Sequence, residues 1–133
     1  MDKQARRRGQ SLAEFALIGP LFLTLCMGAI DLGRVYFAHV ALVGAVEQGA
    51  RTAALKPLTN DDQVKSAVVA EPSGTLTLHT ADVQITPAYS TRRQGDTATV
   101  TATTNFHLVT PLMSALAGGE IITLSATASM VVQ

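Results

Sequence analysis

Three patterns of apolar and polar positions follow one another along the chain, and each predicts a different element. The first is a charge-free run from Phe15 to Ile30, extended backward past Glu14 by Ser11, Leu12 and Ala13. Crossing a hydrocarbon core of about 30 Å takes about 20 residues. The run therefore predicts a membrane span over about residues 12–31, with Glu14 and Asp31 close to the two interfaces. The apolar period continues beyond Asp31: Val35, Phe37, Ala38, Ala41, Leu42, Ala45, Val46, Gly49 and Ala50 recur every three or four residues, as on one helix face. Lys56-Pro57 supplies a stop. One helix from about Ser11 to Leu55 would be ~65 Å long, about half in the bilayer and half projecting from it. Pro20 lies inside it and is expected to kink it or to leave a carbonyl near Ala16 unpaired.

The second pattern is short. Asn60 can cap a helix whose positive end is favoured by Asp61 and Asp62, with Gln63 at the capping-box position and Val64, Ala67 and Val68 as its apolar stripe. Glu71-Pro72-Ser73-Gly74 ends it. From there the period becomes two. Leu76 and Leu78 alternate with threonines, and Val83 and Ile85 do so in the opposite parity, which predicts a break near Thr80–Asp82. Arg92-Arg93-Gln94-Gly95-Asp96 reads as a solvated hairpin loop. Ala98, Val100, Ala102, Phe106 and Leu108 then face one way, and Thr97, Thr99, Thr101, Thr103, Asn105 and His107 the other. Pro111 opens a helical turn closed by Gly118-Gly119, and the last run sets Ile122, Leu124, Ala126, Ala128, Met130 and Val132 against Thr123, Ser125, Thr127 and Ser129. The fold class expected is α+β: a long amino-terminal transmembrane and amphipathic helix, a short helix, and a small antiparallel sheet with one apolar and one threonine-rich face. The apolar face needs a cover, and the short helix and the outer half of the long helix are available.

Charge orients this arrangement. Lys3, Arg6, Arg7 and Arg8 precede the apolar run and Asp31 follows it, which places the amino terminus in the cytoplasm and the remainder outside. Asp31 and Arg34 are spaced for an ion pair on the helix surface, and Glu47 and Arg51 for another. Gly28, Gly33, Ala41, Gly44, Ala45, Gly49 and Ala50 weaken an isolated helix but permit close approach of another. The formal net charge of zero is misleading: without residues 1–9 six positive and nine negative charges remain. No basic run interleaved with aromatics occurs beyond the leader, so nucleic acid is not an expected partner.

Candidate chemistry is sparse. The lone Cys26 allows no intramolecular disulfide and reads as a small apolar filler. His39, His79 and His107 share no ligand spacing, so no metal or cofactor is expected. No nucleophile elbow, phosphate loop or H-E-x-x-H occurs, and no small-molecule substrate is implied. An enzyme is not expected.

A specific likeness is carried by the first 55 residues. Gly9 followed by Gln10-Ser11-Leu12-Ala13-Glu14-Phe15 resembles a type IV prepilin junction, in which a peptidase cuts after glycine and a glutamate stands fifth in the mature chain. Arg8-Gly9-Gln10, Ala13-Glu14-Phe15-Ala16-Leu17, Pro20-Leu21-Phe22, Asp31-Leu32-Gly33-Arg34 and Gly49-Ala50-Arg51-Thr52-Ala53-Ala54 are together similar to TadE-like pseudopilins of the tight-adherence, Flp-type pilus system. The resemblance implies a leader (1–9), a long helix (10–55) and an exported pilin-like α+β domain (56–133). Gly9, Gln10 and Glu14 would form the processing site. Lys3, Arg6, Arg7 and Arg8 would set topology, and Asp31, Gly33, Arg34, Gly49 and Arg51 would serve helix packing. The partners implied are a prepilin peptidase, other pilins or pseudopilins, the assembly platform and the membrane. The location implied is the bacterial inner membrane, crossed once, with the carboxy-terminal domain periplasmic or extracellular. A Flp-type major pilin is usually much shorter, so a minor subunit fits better. Two other readings stay open: an uncleaved bitopic envelope protein with an exported structural or binding domain, and a secreted enzyme with a signal peptide, which the missing site argues against.

Overall fold

The computed structural model describes residues 3–55, 60–70 and 76–133, with side chains from Gln10 onward. Helix α1 runs from Lys3 to Ala54, 52 residues without interruption. It begins earlier than the apolar pattern requires, because lysine, glutamine, alanine and arginine are good helix formers and one glycine at position 9 costs only about 1 kcal/mol. It is also continuous through Pro20, whose carbonyl accepts a hydrogen bond from Thr24 Oγ1 at 2.8 Å. Its end at Ala54 precedes the expected Lys56-Pro57 stop, which lies outside the described residues.

Helix α2 (Asp61–Ala70) opens with the expected reciprocal cap. Gln63 N–H donates to Asn60 Oδ1 at 2.9 Å, and Asn60 N–H donates to Gln63 Oε1 at 3.0 Å. The expected Glu71–Gly74 terminator lies outside the described residues. Three strands then form an antiparallel meander in the order β1 (Val83–Thr86), β2 (Thr97–His107) and β3 (Ile121–Val131). Leu76 and Leu78 were expected in a strand, but the chain there is outside the sheet. A 3₁₀ turn at Thr80–Asp82, closed by His79 N–H donating to Asp82 Oδ2 at 3.0 Å, redirects it, so β1 pairs only with Thr99–Ala102. Helix α3 (Pro111–Ala117) joins β2 to β3 and ends at Gly118 in the left-handed conformation, φ 77°.

Alternation in the strands places Ala98, Val100, Ala102, Ala126 and Val132 on one face, against Leu42, Ala45, Val46, Ala50 and Ala53 of α1 and Val64 and Val68 of α2. The carboxy-terminal part of α1 is thus part of the domain core rather than a stalk beneath it. The opposite face is a threonine ladder: Thr99 and Ser129 hydroxyls meet at 2.9 Å, and Thr101 and Thr127 hydroxyls at 3.0 Å. These are opposed residues of the β2–β3 register, where such pairs stabilise a sheet.

Candidate functional site

The segment expected to be processed lies on the first turns of α1. Gly9 is helical, and Gln10 and Glu14 follow on one face, with Gln10 Nε2 donating to Glu14 Oε1 at 3.1 Å. Glu14 is exposed, as are Leu12, Phe15, Leu17, Ile18, Leu21 and Phe22 beside it. The chain's own domain leaves this part of the helix bare, and Gln10–Ala54 is long and apolar enough to cross a membrane. The side chains of Lys3, Arg6, Arg7 and Arg8 lie outside the described set.

At the carboxy-terminal end of the bare segment, Asp31 departs from expectation. A surface ion pair was predicted, yet Asp31 is only 1% exposed. Its Oδ1 accepts from Arg34 Nη1 at 3.0 Å. Its Oδ2 accepts the Val109 N–H at 3.0 Å, the Thr110 N–H at 2.7 Å and the Thr110 hydroxyl at 2.8 Å. The Arg34 guanidinium lies 5.2 Å from the centre of the Phe106 ring, a cation–π contact to β2. The pair therefore fastens the far end of the sheet to α1. One helical turn toward the bare segment, Gly28 faces Leu112 and Met113 of α3.

A second fastening closes the other end of the sheet, and here the reading of Arg92 as part of a solvated loop is corrected. The Arg92 side chain is fully buried. Its Nη2 donates to Asp61 Oδ1 at 2.8 Å and to the Pro87 carbonyl at 3.1 Å, and its Nη1 to the Ala53 carbonyl at 3.4 Å. The guanidinium so joins the carbonyl end of α1 to the first residue of α2, where the two helix dipoles favour a cation and a carboxylate respectively. Gln133 N–H donates to the Ala54 carbonyl at 3.0 Å and satisfies a second helix-end acceptor. Between Asp31 and Ala54 the helix rises about 35 Å. The eleven residues of β2 reach about as far at ~3.3 Å each, so the sheet lies along the helix with a fastening at each end.

The remaining residues expected to serve helix packing separate. Gly49 is buried, and a Cβ there would collide with Val68 Cγ2 and lie 3.3 Å from Val100 Cγ1. It admits a second helix, but that helix is the chain's own α2. A Cβ on Gly33 would meet nothing within 4 Å. Arg51 is exposed and is not ion-paired to Glu47: the two ion pairs among the described residues are Asp31–Arg34 and Asp61–Arg92. No group of three or more His, Cys, Asp or Glu side chains converges among the described residues.

Residues 9–51 match a family model described as TadE-like protein. The helical segment of this chain is TadE-like. The TadE-like segment runs from Gly9 to Arg51 and contains Gln10, Glu14, Asp31, Arg34 and Gly49. It therefore includes the helical partner of the Asp31 fastening but not Thr110, and it ends before Ala53, Asp61 and Arg92. No curated protein and no solved structure matches the chain.

Proposed function

We propose that this chain is a minor pseudopilin of a tight-adherence pilus system. In this reading it is made as a prepilin and cut by a prepilin peptidase after Gly9 on the cytoplasmic side. It is then held in the inner membrane by about residues 12–31 and used structurally, without catalysis, in pilus assembly. The TadE-like match supports a pilus-related membrane role. The observation that carries the finer reading is the face of α1 that its own domain leaves uncovered. Leu32, Tyr36, Phe37 and Val40 are exposed apolar residues outside the charge-free run, and Gly33 and Gly44 near them present open backbone. An uncovered apolar stripe with small residues is what close packing against another subunit's helix requires.

The junction supplies the electrostatic half of the mechanism. Cleavage after Gly9 would turn the Gln10 nitrogen into a cationic amine, one helical turn (~6 Å) from Glu14. A carboxylate in the apolar part of a bilayer is costly and is relieved by a nearby cation. The neutral Gln10 side-chain amide already donates to Glu14. The amine freed by the cut, of the same subunit or of a neighbour, would add a positive charge beside it, so that processing and assembly become coupled.

Intact-mass and amino-terminal analysis of protein extracted from membranes tests the cut. A terminus at Gln10 is expected, whereas Met1 would favour an uncleaved bitopic protein and a terminus beyond Ile30 a signal peptide. Glu14→Gln should insert normally but impair processing or assembly, and a variant normal in both would sink the mechanism.

A further inference from the structure

We propose that residues 109–117 of the β2–β3 connection form a second membrane contact, seated in the interfacial layer of the leaflet from which α1 emerges. The proposal rests on the reading that α1 spans the bilayer. Its placement follows from the two contacts with α1. Val109 and Thr110 are held by Asp31, where the charge-free run ends, and Leu112 and Met113 lie against Gly28, three residues (~5 Å) further into that run. Helix α3 therefore lies beside the last turn of the span, at the depth of about 5–10 Å at which interfacial helices sit.

Composition and exposure agree with that depth. No ionisable residue occurs from Leu108 to Gly119; the flanking ones are His107 and Glu120. Val109 is 70% exposed and Leu116 74% exposed, unusual for a turn at the end of a sheet. Met27 and Ile30 on the neighbouring helix face are exposed too, and with Val109 and Pro111 they line one mainly apolar groove, at whose edge lie Thr110 and the Asp31–Arg34 ion pair. The tip and the end of the span thus form a continuous apolar surface.

Several N–H groups of the connection are also satisfied internally, which favours a poorly hydrated site. Asp31 takes the Val109 and Thr110 N–H groups, the Thr110 carbonyl takes the Ser114 N–H at 3.1 Å, and the Ser114 carbonyl takes the Gly119 N–H at 2.9 Å. Asp31 is in turn neutralised by Arg34. The buried aspartate satisfies the two N–H groups, of Val109 and Thr110, where the backbone leaves the sheet before α3 begins. The tip would set the height and tilt of the domain on the membrane, and hence which face of α1 a neighbouring subunit meets.

The test uses the full chain carrying Cys26→Ala, reconstituted in phosphatidylcholine–phosphatidylglycerol vesicles. A polarity-sensitive fluorophore is attached through a single introduced cysteine at Leu116, Leu23 or Thr127 (Leu116→Cys, Leu23→Cys, Thr127→Cys). All three positions are exposed, so none of the labels replaces a core side chain. The Leu116 label should be blue-shifted and quenched several-fold more by shallow spin-labelled lipids than the Thr127 label, with Leu23 quenched by deep ones. A Leu116 label quenched by aqueous iodide as strongly as Thr127, while Leu23 remains lipid-quenched, overturns the proposal and leaves the span intact. Loss of lipid quenching at Leu23 as well overturns the span and the tip contact together. Shielding at Leu116 that lipid quenchers do not reach and that fades on dilution of protein in lipid assigns the surface to a second copy, against the proposal.

Discussion

Replacing Arg92 by methionine keeps a long, flexible side chain in the buried site and removes only the guanidinium. Three acceptors then lose donors: the Ala53 carbonyl, the Pro87 carbonyl and Asp61 Oδ1. An orphaned buried acceptor costs about 1–3 kcal/mol, and breaking a buried ion pair from one side about 3–5 kcal/mol. Asp61 retains 31% side-chain exposure and rehydrates. The long Ala53 bond is weak, and methionine avoids the cost of burying a charge. The balance falls below the full range, at about 2–3 kcal/mol, or on the order of 100-fold in the opening equilibrium. Asp61→Asn should cost less, about 1 kcal/mol, because the guanidinium keeps both carbonyls and the amide oxygen can still accept. Amide hydrogen exchange in β2, measured in full-length protein in detergent micelles, reports the domain without requiring the membrane helix to unfold. The β2 amides at Ala98–Ala102 should lose protection by that factor in Arg92→Met. A loss below about tenfold would mean that Arg92 contributes no more than a solvated loop cation, and the buried bridge would be refuted.

Two further expectations come from the helices. In Gly49→Ala, gained helix propensity of about 1 kcal/mol opposes overpacking of about 1–3 kcal/mol against Val68, whose β-branched side chain has little rotamer freedom to yield. A lower melting temperature is expected, whereas Gly33→Ala, with open space around its Cβ, should be neutral or stabilising in the isolated chain and impair assembly instead; equal stability effects at the two glycines would refute this division. Asn60→Ala removes the acceptor of the Gln63 N–H and should cost about 1 kcal/mol, seen as faster exchange in the first turn of α2 with β2 little changed.

Local periodicity was sufficient for most elements. The three- and four-residue recurrence of Ala38, Leu42, Ala45 and Val46 marked the buried face of α1, and the alternation around Val100 and Ala126 marked the apolar face of the sheet. Asn60 with Gln63, and Pro111 with Gly118, marked the ends of short helices because capping and φ preferences act within a few residues. The Gly9–Glu14 junction and its TadE-like context are likewise contiguous in the chain. Tertiary structure decided what contiguity does not encode. Asp31 became a buried acceptor for Thr110, 79 residues away, and Arg92 a buried donor to Ala53, 39 residues away. Gly49 opened to the chain's own α2 while Gly33 stayed clear. A charge, or a glycine, has no periodic partner in sequence; its environment is set by which backbone groups the packed sheet brings to it. The sequence alone therefore determined a membrane-length helix with a covering sheet, and packing alone determined that one buried charge at each end would hold the two together.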